Sequence, residues 1–231
     1  MEWKLKTKTN LFLGLFVACL VAANLIGSKI AQLSIINFSV GIFAYPITFM
    51  ITDVIEEVHG RTKTKEFVWV GFICMVVVLL MTALSVILPY AERSYVQAEQ
   101  YGRVFGISIR FFIASITAFL LSQFHDIWAF NFWKKKTKGR FLWLRNNAST
   151  IVSQFIDTVI FMFIALYYLP FSWVPATLNT SPKFTVGYMF VLIMPYWTLK
   201  MLVALFDTPF VYLGVRWMTG RVYSKRTLQV K

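Results

Sequence analysis

Between Phe67 and Leu88 the chain runs for 22 residues without a charged side chain. A helix of about 20 apolar residues crosses the hydrocarbon core of a bilayer, which is roughly 30 Å thick. Comparable apolar runs recur along the whole chain, and 58% of all residues are hydrophobic whereas 14% are charged. No soluble domain of this length needs so much apolar surface. The sequence therefore predicts an all-α integral membrane protein.

The apolar runs divide the chain into six candidate spans, which we expect to form one six-helix transmembrane domain over residues 1–231. The last apolar stretch is too long for one straight crossing, so we expect a kink or a break near Pro195. Tyr196 and Lys200 are then expected to face the interior of the protein. The six spans are predicted at about 11–33, 43–60, 67–88, 105–130, 147–169 and 186–217.

The net charge of +13 is concentrated in four basic clusters that lie between or beside the apolar runs. These clusters hold 17 of the 23 lysines and arginines, at the N-terminus, in residues 61–65, in residues 134–145 and in the C-terminal tail. With six spans, all four clusters fall on one side of the membrane, and the positive-inside rule places both termini in the cytoplasm. Because the charges mark cytoplasmic loops, we expect no nucleic-acid partner.

The second span carries a polar stripe and ends in acidic residues. A polar stripe in an apolar helix must face protein or water rather than lipid. Ionisable groups at membrane depth mark functional sites, so Asp53 is a candidate binding residue. Glu57 and His59 also fit the solvated end of a helix. The side chains that share the face of the stripe are Tyr45, Thr48, Phe49, Thr52, Asp53 and Glu56.

Four other spans carry polar stripes at helical spacing. Such stripes serve either as the wall of a binding site or as polar contacts between helices. By span, they contain Asn24, Ser28 and Gln32 in the first; Ser115, Ser122, Gln123 and Asp126 in the fourth; Asn147, Thr150, Gln154, Asp157 and Thr158 in the fifth; and Lys200 and Asp207 in the last.

The pentapeptide pattern S-Q-F-x-D occurs twice, at 122–126 and at 153–157. Many transporters are built from internal repeats, with the binding site between them. A five-residue match in a chain of biased composition also arises by chance. The sequence leaves these two explanations open.

The histidines and cysteines do not form a catalytic or metal-binding pattern. His59 and His125 are far apart in the sequence, and Cys19 and Cys74 both lie inside apolar runs. Neither pair has the spacing of a metal site or of a disulfide framework. The sequence also has no glycine-rich loop that would bind phosphate. We therefore expect no enzyme activity, no metal and no cofactor.

Three long motifs resemble the queuosine precursor transporter family, also described as vitamin uptake transporters. They are YPITFMITDVIEEVHG at 45–60, DIWAFNFWKKKTKGRFLWLRNNASTIVSQFIDT at 126–158 and KMLVALFDTPF at 200–210. The resemblance implies a six-span protein of the bacterial or archaeal cytoplasmic membrane, similar in outline to the substrate-binding subunits of energy-coupling-factor vitamin transporters. It also implies import of 7-deazaguanine precursors of queuosine, such as preQ0 or preQ1.

The same resemblance extends to individual residues. At 56–59 this chain has Glu-Glu-Val-His, where the family pattern is expected to read Asn-Glu-Val-Tyr. The family roles of these positions are therefore not carried over to Glu56 and His59. The residues that match polar positions of the family are Asp53, Asp126, Arg145, Asn147, Asp157 and Lys200.

A 7-deazaguanine offers a donor edge, a carbonyl oxygen and two flat faces. A carboxylate accepts hydrogen bonds from the ring N–H and the exocyclic amine, an amide or ammonium donates to the carbonyl, and aromatic rings cover the faces. The predicted substrate-binding residues are Asn24, Tyr45, Thr48, Phe49, Asp53, Asn147, Gln154, Asp157, Tyr196 and Lys200. Those assigned to coupling or structure are Glu56, Glu57, Gln123, Asp126, Arg145 and Asp207.

Two functional alternatives follow from this set. The protein is either a self-sufficient transporter or the substrate-capture subunit of a multi-component vitamin-type transporter that needs an energising partner. The sequence also leaves a homodimer open. In either case we expect Asp53, Asp157 and Lys200 to converge on one cavity, because each is the costliest residue of its span to hold at membrane depth.

Overall fold

The computed structural model describes residues 4–27, 29–33, 36–91, 94–166 and 186–220. Over these residues the chain is almost entirely helical. The elements are α1 (Leu5–Ile26), β1 (Ile30–Leu33), β2 (Ile36–Ser39), a 3₁₀ turn (Val40–Phe43), α2 (Tyr45–His59), α3 (Arg61–Ile87), α4 (Ala98–Tyr101), a π-helical turn (Gly102–Gly106), α5 (Ile107–Lys136), α6 (Leu142–Leu166) and α7 (Val186–Thr219).

Five helices of the described part, α1, α3, α5, α6 and α7, are long and apolar enough to cross a membrane. The prediction of an all-α membrane protein is confirmed at this level. The second predicted span corresponds to α2, which has only 15 residues. At 1.5 Å per residue α2 is about 22 Å long, shorter than a hydrocarbon core of about 30 Å. The predicted end of the fifth span, at 167–169, lies outside the described residues.

The first helix ends earlier than the sequence predicted. After α1 the chain forms an antiparallel hairpin of β1 and β2, in which β-branched side chains favour the extended backbone. Gln32 therefore lies in a strand, and the prediction that it continues the helical face of Asn24 is wrong; Ser28 lies outside the described residues. In the 3₁₀ turn that follows the hairpin, Gly41 lies so close to α1 that a Cβ there would be 2.8 Å from the carbonyl oxygen of Ala23.

The last helix, α7, is continuous over 34 residues and contains both Pro195 and Pro209. The predicted break near Pro195 is therefore wrong, and a local bend there stays a prediction. A proline removes one hydrogen bond of the helix, and the bonds of the neighbouring turns remain. Lys200 is 5% exposed and Tyr196 lines an internal cavity, so the prediction that both face the interior is confirmed.

The apolar core lies where α1, α2, α3, α5 and α7 meet. The ring centroid of Phe16 lies 6.1 Å from that of Phe67 and 6.0 Å from that of Phe119. Gly71 allows α3 to approach α1, because a Cβ at that position would lie 2.7 Å from Leu20. The most extensive helix packing is between α5 and α6. These two helices provide the frame on which the polar groups are arranged.

The polar stripe of α2 faces the interior of the protein. Thr48, Asp53 and Glu56 are all buried, whereas Leu80 and Met81 of α3 are exposed. This distribution confirms the expectation that the stripe faces protein. It is the distribution required in a bilayer, where polar groups need partners inside the protein and apolar groups can face lipid.

Candidate solute-binding site

An internal cavity lies between α1, α2, α5, α6 and α7. Its volume is about 40 Å³, which holds a few waters but not a bicyclic base. We call it the Lys200 cavity. It is lined by Ala23, Asn24, Gly27, Ser39, Tyr45, Phe111, Ser115, Asp157, Phe161, Tyr196 and Lys200.

A buried ion pair joins α6 and α7 in this cavity. Lys200 Nζ donates to Asp157 Oδ2 at 2.6 Å, and both side chains are almost completely buried. Ser122 of α5 donates from Oγ to the other carboxylate oxygen, Oδ1, at 3.4 Å. Two opposite charges at this depth are held by mutual pairing and by such additional hydrogen bonds.

Two tyrosine rings flank the ammonium group of Lys200. Lys200 Nζ lies 5.1 Å from the ring centroid of Tyr45 and 5.1 Å from that of Tyr196. Both distances are within the range of cation–π attraction. The hydroxyl of Tyr45 forms a hydrogen bond of 2.8 Å with Ser115 Oγ. The cavity thus presents a carboxylate acceptor, an ammonium donor and aromatic surfaces within a few ångströms of each other.

Five of the ten predicted binding residues line the Lys200 cavity, namely Asn24, Tyr45, Asp157, Tyr196 and Lys200. The other five are Thr48, Phe49, Asp53, Asn147 and Gln154, and they do not line it. Asn147 donates instead to Thr208 Oγ1 at 2.9 Å and connects α6 to α7. Asn24 donates to the Leu20 carbonyl oxygen at 2.9 Å.

The expectation that Asp53 converges with Asp157 and Lys200 on one cavity is wrong. Asp53 follows Tyr45 by eight residues, which corresponds to about 12 Å along α2. At that level the inner face of α2 packs against α5, and the carboxyl of Asp53 lies beside that of Asp126. The two carboxyls are close enough to share a hydrogen bond.

Asp53 and Asp126 belong to a second polar region, which also contains Glu56. All three side chains are buried, and we call them the carboxyl cluster. The hydroxyls of Ser149 and Ser153 on α6 lie next to the carboxyl of Asp126. The cluster therefore lies between α2, α5 and α6, about two helical turns from the Lys200 cavity along α2.

A third set of polar contacts lies at the end of the helix bundle that contains the carboxyl cluster. Glu57 Oε2 accepts hydrogen bonds from Arg145 Nη1 at 2.9 Å and from Lys134 Nζ at 3.0 Å. The guanidinium of Arg145 also lies 5.3 Å from the ring centroid of Phe130. At the end of α2, His59 and Thr9 of α1 form a hydrogen bond of 2.8 Å. These contacts connect α1, α2, α5 and α6.

Six residues that line the cavity were not assigned to the binding site from the sequence: Ala23, Gly27, Ser39, Phe111, Ser115 and Phe161. Phe111 and Ser115 are one turn apart on α5, a spacing that was available as a signal. Phe111 and Phe161 pack with their ring centroids 6.2 Å apart. Ser39 enters the site only because the hairpin folds back, and it donates to the carbonyl oxygen of Gly27 at 2.6 Å.

These observations define a multi-pass membrane protein with a buried polar cavity between its helices, an architecture found in transporters. The family described as "Putative vitamin uptake transporter" matches residues 39–214. The match includes α2 to α6, most of α7, and every ionisable residue of the Lys200 cavity and of the carboxyl cluster. The chain belongs to this family, whose members are transporters rather than enzymes.

Two relatives carry more specific names. The "Probable queuosine precursor transporter" of Bacillus subtilis (strain 168) is 32% identical over 157 residues, which cover 66% of this chain and 68% of the relative. The "Queuosine precursor transporter" of Escherichia coli (strain K12) is 27% identical over 133 residues, 56% of each chain. The matched part thus spans little more than half of the second relative. No solved structure matches the chain.

Proposed function

We propose that this protein imports queuosine precursors, 7-deazaguanines such as preQ0 or preQ1, across the cytoplasmic membrane. The observation that carries the proposal is the Asp157–Lys200 pair held between two tyrosine rings. The names of the two relatives support the same substrate class. Both relatives are named as transporters in their own right, which favours self-sufficient transport over a capture subunit.

The groups of the Lys200 cavity are complementary to a deazaguanine. The carboxylate of Asp157 has two acceptor oxygens for the ring N–H and the exocyclic amine, and Lys200 is a donor for the ring carbonyl. Tyr45 and Tyr196 can cover the flat faces. In the structure Asp157 and Lys200 neutralise each other. When the solute binds, it separates the two side chains and forms hydrogen bonds with both of them. These hydrogen bonds avoid leaving either charge buried and unpaired.

The proposed topology has six crossings and two cytoplasmic termini. The short helix α2 is preceded by the 3₁₀ turn Val40–Phe43, and together they extend the second crossing. The basic clusters then lie on the cytoplasmic side. The Lys200 cavity involves the end of α1 and the start of α2, so this topology places it toward the outer face. The carboxyl cluster and Glu57 lie toward the cytoplasm.

Cysteine labelling tests this topology. In a variant without Cys19 and Cys74, a cysteine at the exposed position Tyr95 is expected to react with an impermeant thiol reagent added to intact cells. A cysteine at Lys136 is expected to react only after the membrane is opened. Labelling of position 136 in intact cells contradicts the six-crossing topology.

Uptake of labelled preQ1 tests the substrate assignment. The recipient is a cell that neither makes nor imports deazaguanines, and this protein is expressed there alone. We expect accumulation of label above the empty-vector control, and competition by unlabelled preQ0. Protein that reaches the membrane and gives no uptake refutes self-sufficient transport. Recovery of uptake after addition of an energising partner supports the capture-subunit alternative.

A further inference from the structure

We propose that the carboxyl cluster holds an exchangeable proton between Asp53 and Asp126 and that movement of this proton drives solute import. The inference rests on the proposed function, because it supplies the energy for the same transport. In each cycle the proton enters from the outer side, is held between the two carboxyls and leaves to the cytoplasm. The cluster then carries one more negative charge until the next proton arrives.

The first support is the composition of the cluster. Asp53 and Asp126 are 2% exposed each and adjacent to each other. Two neighbouring carboxyl groups at membrane depth cannot both be ionised without a large cost in free energy. A proton shared between them removes one charge and replaces a repulsion with a hydrogen bond. Such a pair takes up and releases protons as a unit.

Among the described residues, the charged groups that most affect Asp53 are acidic. Three acidic side chains interact electrostatically with Asp53. They are Glu56 of α2, Asp126 of α5 and Asp207 of α7. The described cations at this end of the helix bundle interact with other carboxylates. Arg61 of α3 and Lys134 of α5 act on Glu56. Arg145 of α6 and Lys134 bind Glu57, and Lys200 of α7 binds Asp157.

His125 precedes Asp126 on α5, and its ring nitrogen Nδ1 forms a hydrogen bond of 2.9 Å with Ser153 Oγ. His59 contacts Thr9 of α1. In the described part of the chain, the charged neighbours of Asp53 are thus acidic, and the histidines have partners outside the carboxyl pair. A proton shared by the pair removes one of its two negative charges.

The second, independent support is a set of buried polar atoms without hydrogen-bond partners. Within the described residues they include Glu56 Oε1 and both amide atoms of Gln123. Gln123 is fully buried and lies on α5 one turn before Asp126. Buried polar atoms normally have a partner, so these atoms mark a place for a proton or for the water that delivers it.

The geometry also connects the carboxyl cluster to the Lys200 cavity. Ser122 contacts Asp157 in the cavity, and Asp126 follows Ser122 by one turn of α5. Across the helix pair, Ser153 lies beside Asp126 and precedes Asp157 by one turn of α6. A shift of α5 against α6 therefore changes both sites together. This gives a physical route by which solute binding at Asp157 alters proton retention at Asp126.

Transport by the purified protein in liposomes tests the inference. With one proton per solute and the membrane potential held at zero, an inwardly directed gradient of one pH unit supports about a tenfold accumulation of labelled preQ1. We expect this ratio for the wild type. We expect a ratio near one for Asp53→Asn and for Asp126→Asn. Both variants are expected to keep solute exchange across the membrane without a gradient, which shows that they are folded. Glu66→Gln, which removes an exposed carboxyl, is the matched control and is expected to accumulate normally.

A second measurement needs no solute. In the infrared spectrum of the purified protein, a protonated buried carboxyl gives a carbonyl stretching band. Because the buried carboxyl of Glu56 gives a band of its own, all variants are compared in a Glu56→Gln background. There we expect the band at neutral pH with and without Glu66→Gln, and a shifted or lost band in Asp53→Asn and in Asp126→Asn. An unchanged band in both aspartate variants overturns the inference.

The outcomes separate this inference from the proposed function. Wild-type protein that moves no preQ1 in any assay, while the Glu56→Gln background shows the aspartate-dependent infrared band, refutes the proposed function and leaves the proton site standing. Transport that follows a sodium gradient and ignores the pH gradient overturns the proton inference and leaves the proposed function standing. Tenfold accumulation of preQ1 by Asp126→Asn likewise overturns the proton inference alone.

Discussion

The Lys200 cavity and the carboxyl cluster are built on the same two helices, and they neutralise a buried aspartate in different ways. In each, the aspartate of one S-Q-F-x-D segment lies beside the serine of the other, Asp157 beside Ser122 and Asp126 beside Ser153. The two sites differ because a different third helix packs against the α5–α6 pair at each of them. Helix α7 brings an ammonium group to Asp157, and α2 brings a second carboxyl to Asp126.

The comparison shows that equivalent positions on a helix pair acquire different chemistry from the element packed against them. An ion pair such as Asp157–Lys200 can be opened by a solute that offers both a donor edge and an acceptor. A carboxyl pair responds instead to the supply of protons. One helix pair can therefore hold a solute site and a coupling site, with one helical turn between them.

The largest expected effect is that of Lys200→Met. This substitution leaves the carboxylate of Asp157 buried without its partner, so we expect a loss of about 3–5 kcal/mol in the free energy of unfolding. We also expect no measurable uptake of preQ1, because the donor for the ring carbonyl is gone. Thermal unfolding in detergent and uptake in cells measure the two effects.

The double variant Lys200→Met/Asp157→Asn is the control for this prediction. It removes the uncompensated charge, and we expect it to recover most of the stability and none of the uptake. A single variant that is as stable as the double variant contradicts the view that the ion pair neutralises this site.

The next largest effect is expected at Tyr45. Tyr45→Leu removes a ring next to the Lys200 ammonium and the solute, and we expect a loss of about 2 kcal/mol in binding, roughly 30-fold in Kd. Tyr45→Phe keeps the ring and loses only the hydrogen bond to Ser115, at about 1 kcal/mol. Calorimetry with preQ1 distinguishes them, and equal losses in both variants mean that the hydroxyl rather than the ring is responsible.

The paired serines are expected to show smaller and separate effects. Ser122→Ala and Ser153→Ala each remove one hydroxyl next to an aspartate, and we expect about 1 kcal/mol for each. The first should weaken preQ1 binding with little change in the pH dependence of transport. The second should shift the pH dependence and leave binding intact. If both serines change the same quantity, the two regions do not act as separate sites.

The smallest effect on stability is expected from Asp126→Asn, less than about 1 kcal/mol. The amide relieves the repulsion within the carboxyl cluster and can still donate a hydrogen bond to Asp53. The comparison is Asp157→Asn, which leaves Lys200 without its counter-ion and is expected to be much more destabilising. Equal destabilisation by the two substitutions indicates that Asp126 is also held by a cation.

Helical spacing predicted the buried face of α2 correctly, and it did not predict where along the helix each side chain finds its partner. Thr48, Asp53 and Glu56 all face the interior as the stripe required. Asp53 nevertheless contacts Asp126 at a position further along the axis of α2 than Tyr45, which lines the Lys200 cavity. Periodicity specifies the direction of a side chain around the helix axis. The level at which a neighbouring helix crosses depends on contacts between residues that are distant in the sequence.

The S-Q-F-x-D pattern shows the same division. The sequence left open whether the repeated pattern had meaning, and the antiparallel packing of α5 on α6 sets each serine beside the opposite aspartate. The hairpin after α1 was also missed. Local propensity there competes with tertiary contacts that no window of the sequence contains.

By itself, the sequence determined the class of protein, the inward-facing polar stripes and the family to which the chain belongs. These follow from the length of apolar runs, from helical periodicity and from long ordered motifs, all of which are local properties. Only the tertiary structure decided which aspartate meets a lysine and which meets another carboxyl. The free energy of a buried charge depends on its nearest neighbours in space, and the packing of α2 and α7 against the α5–α6 pair selects those neighbours.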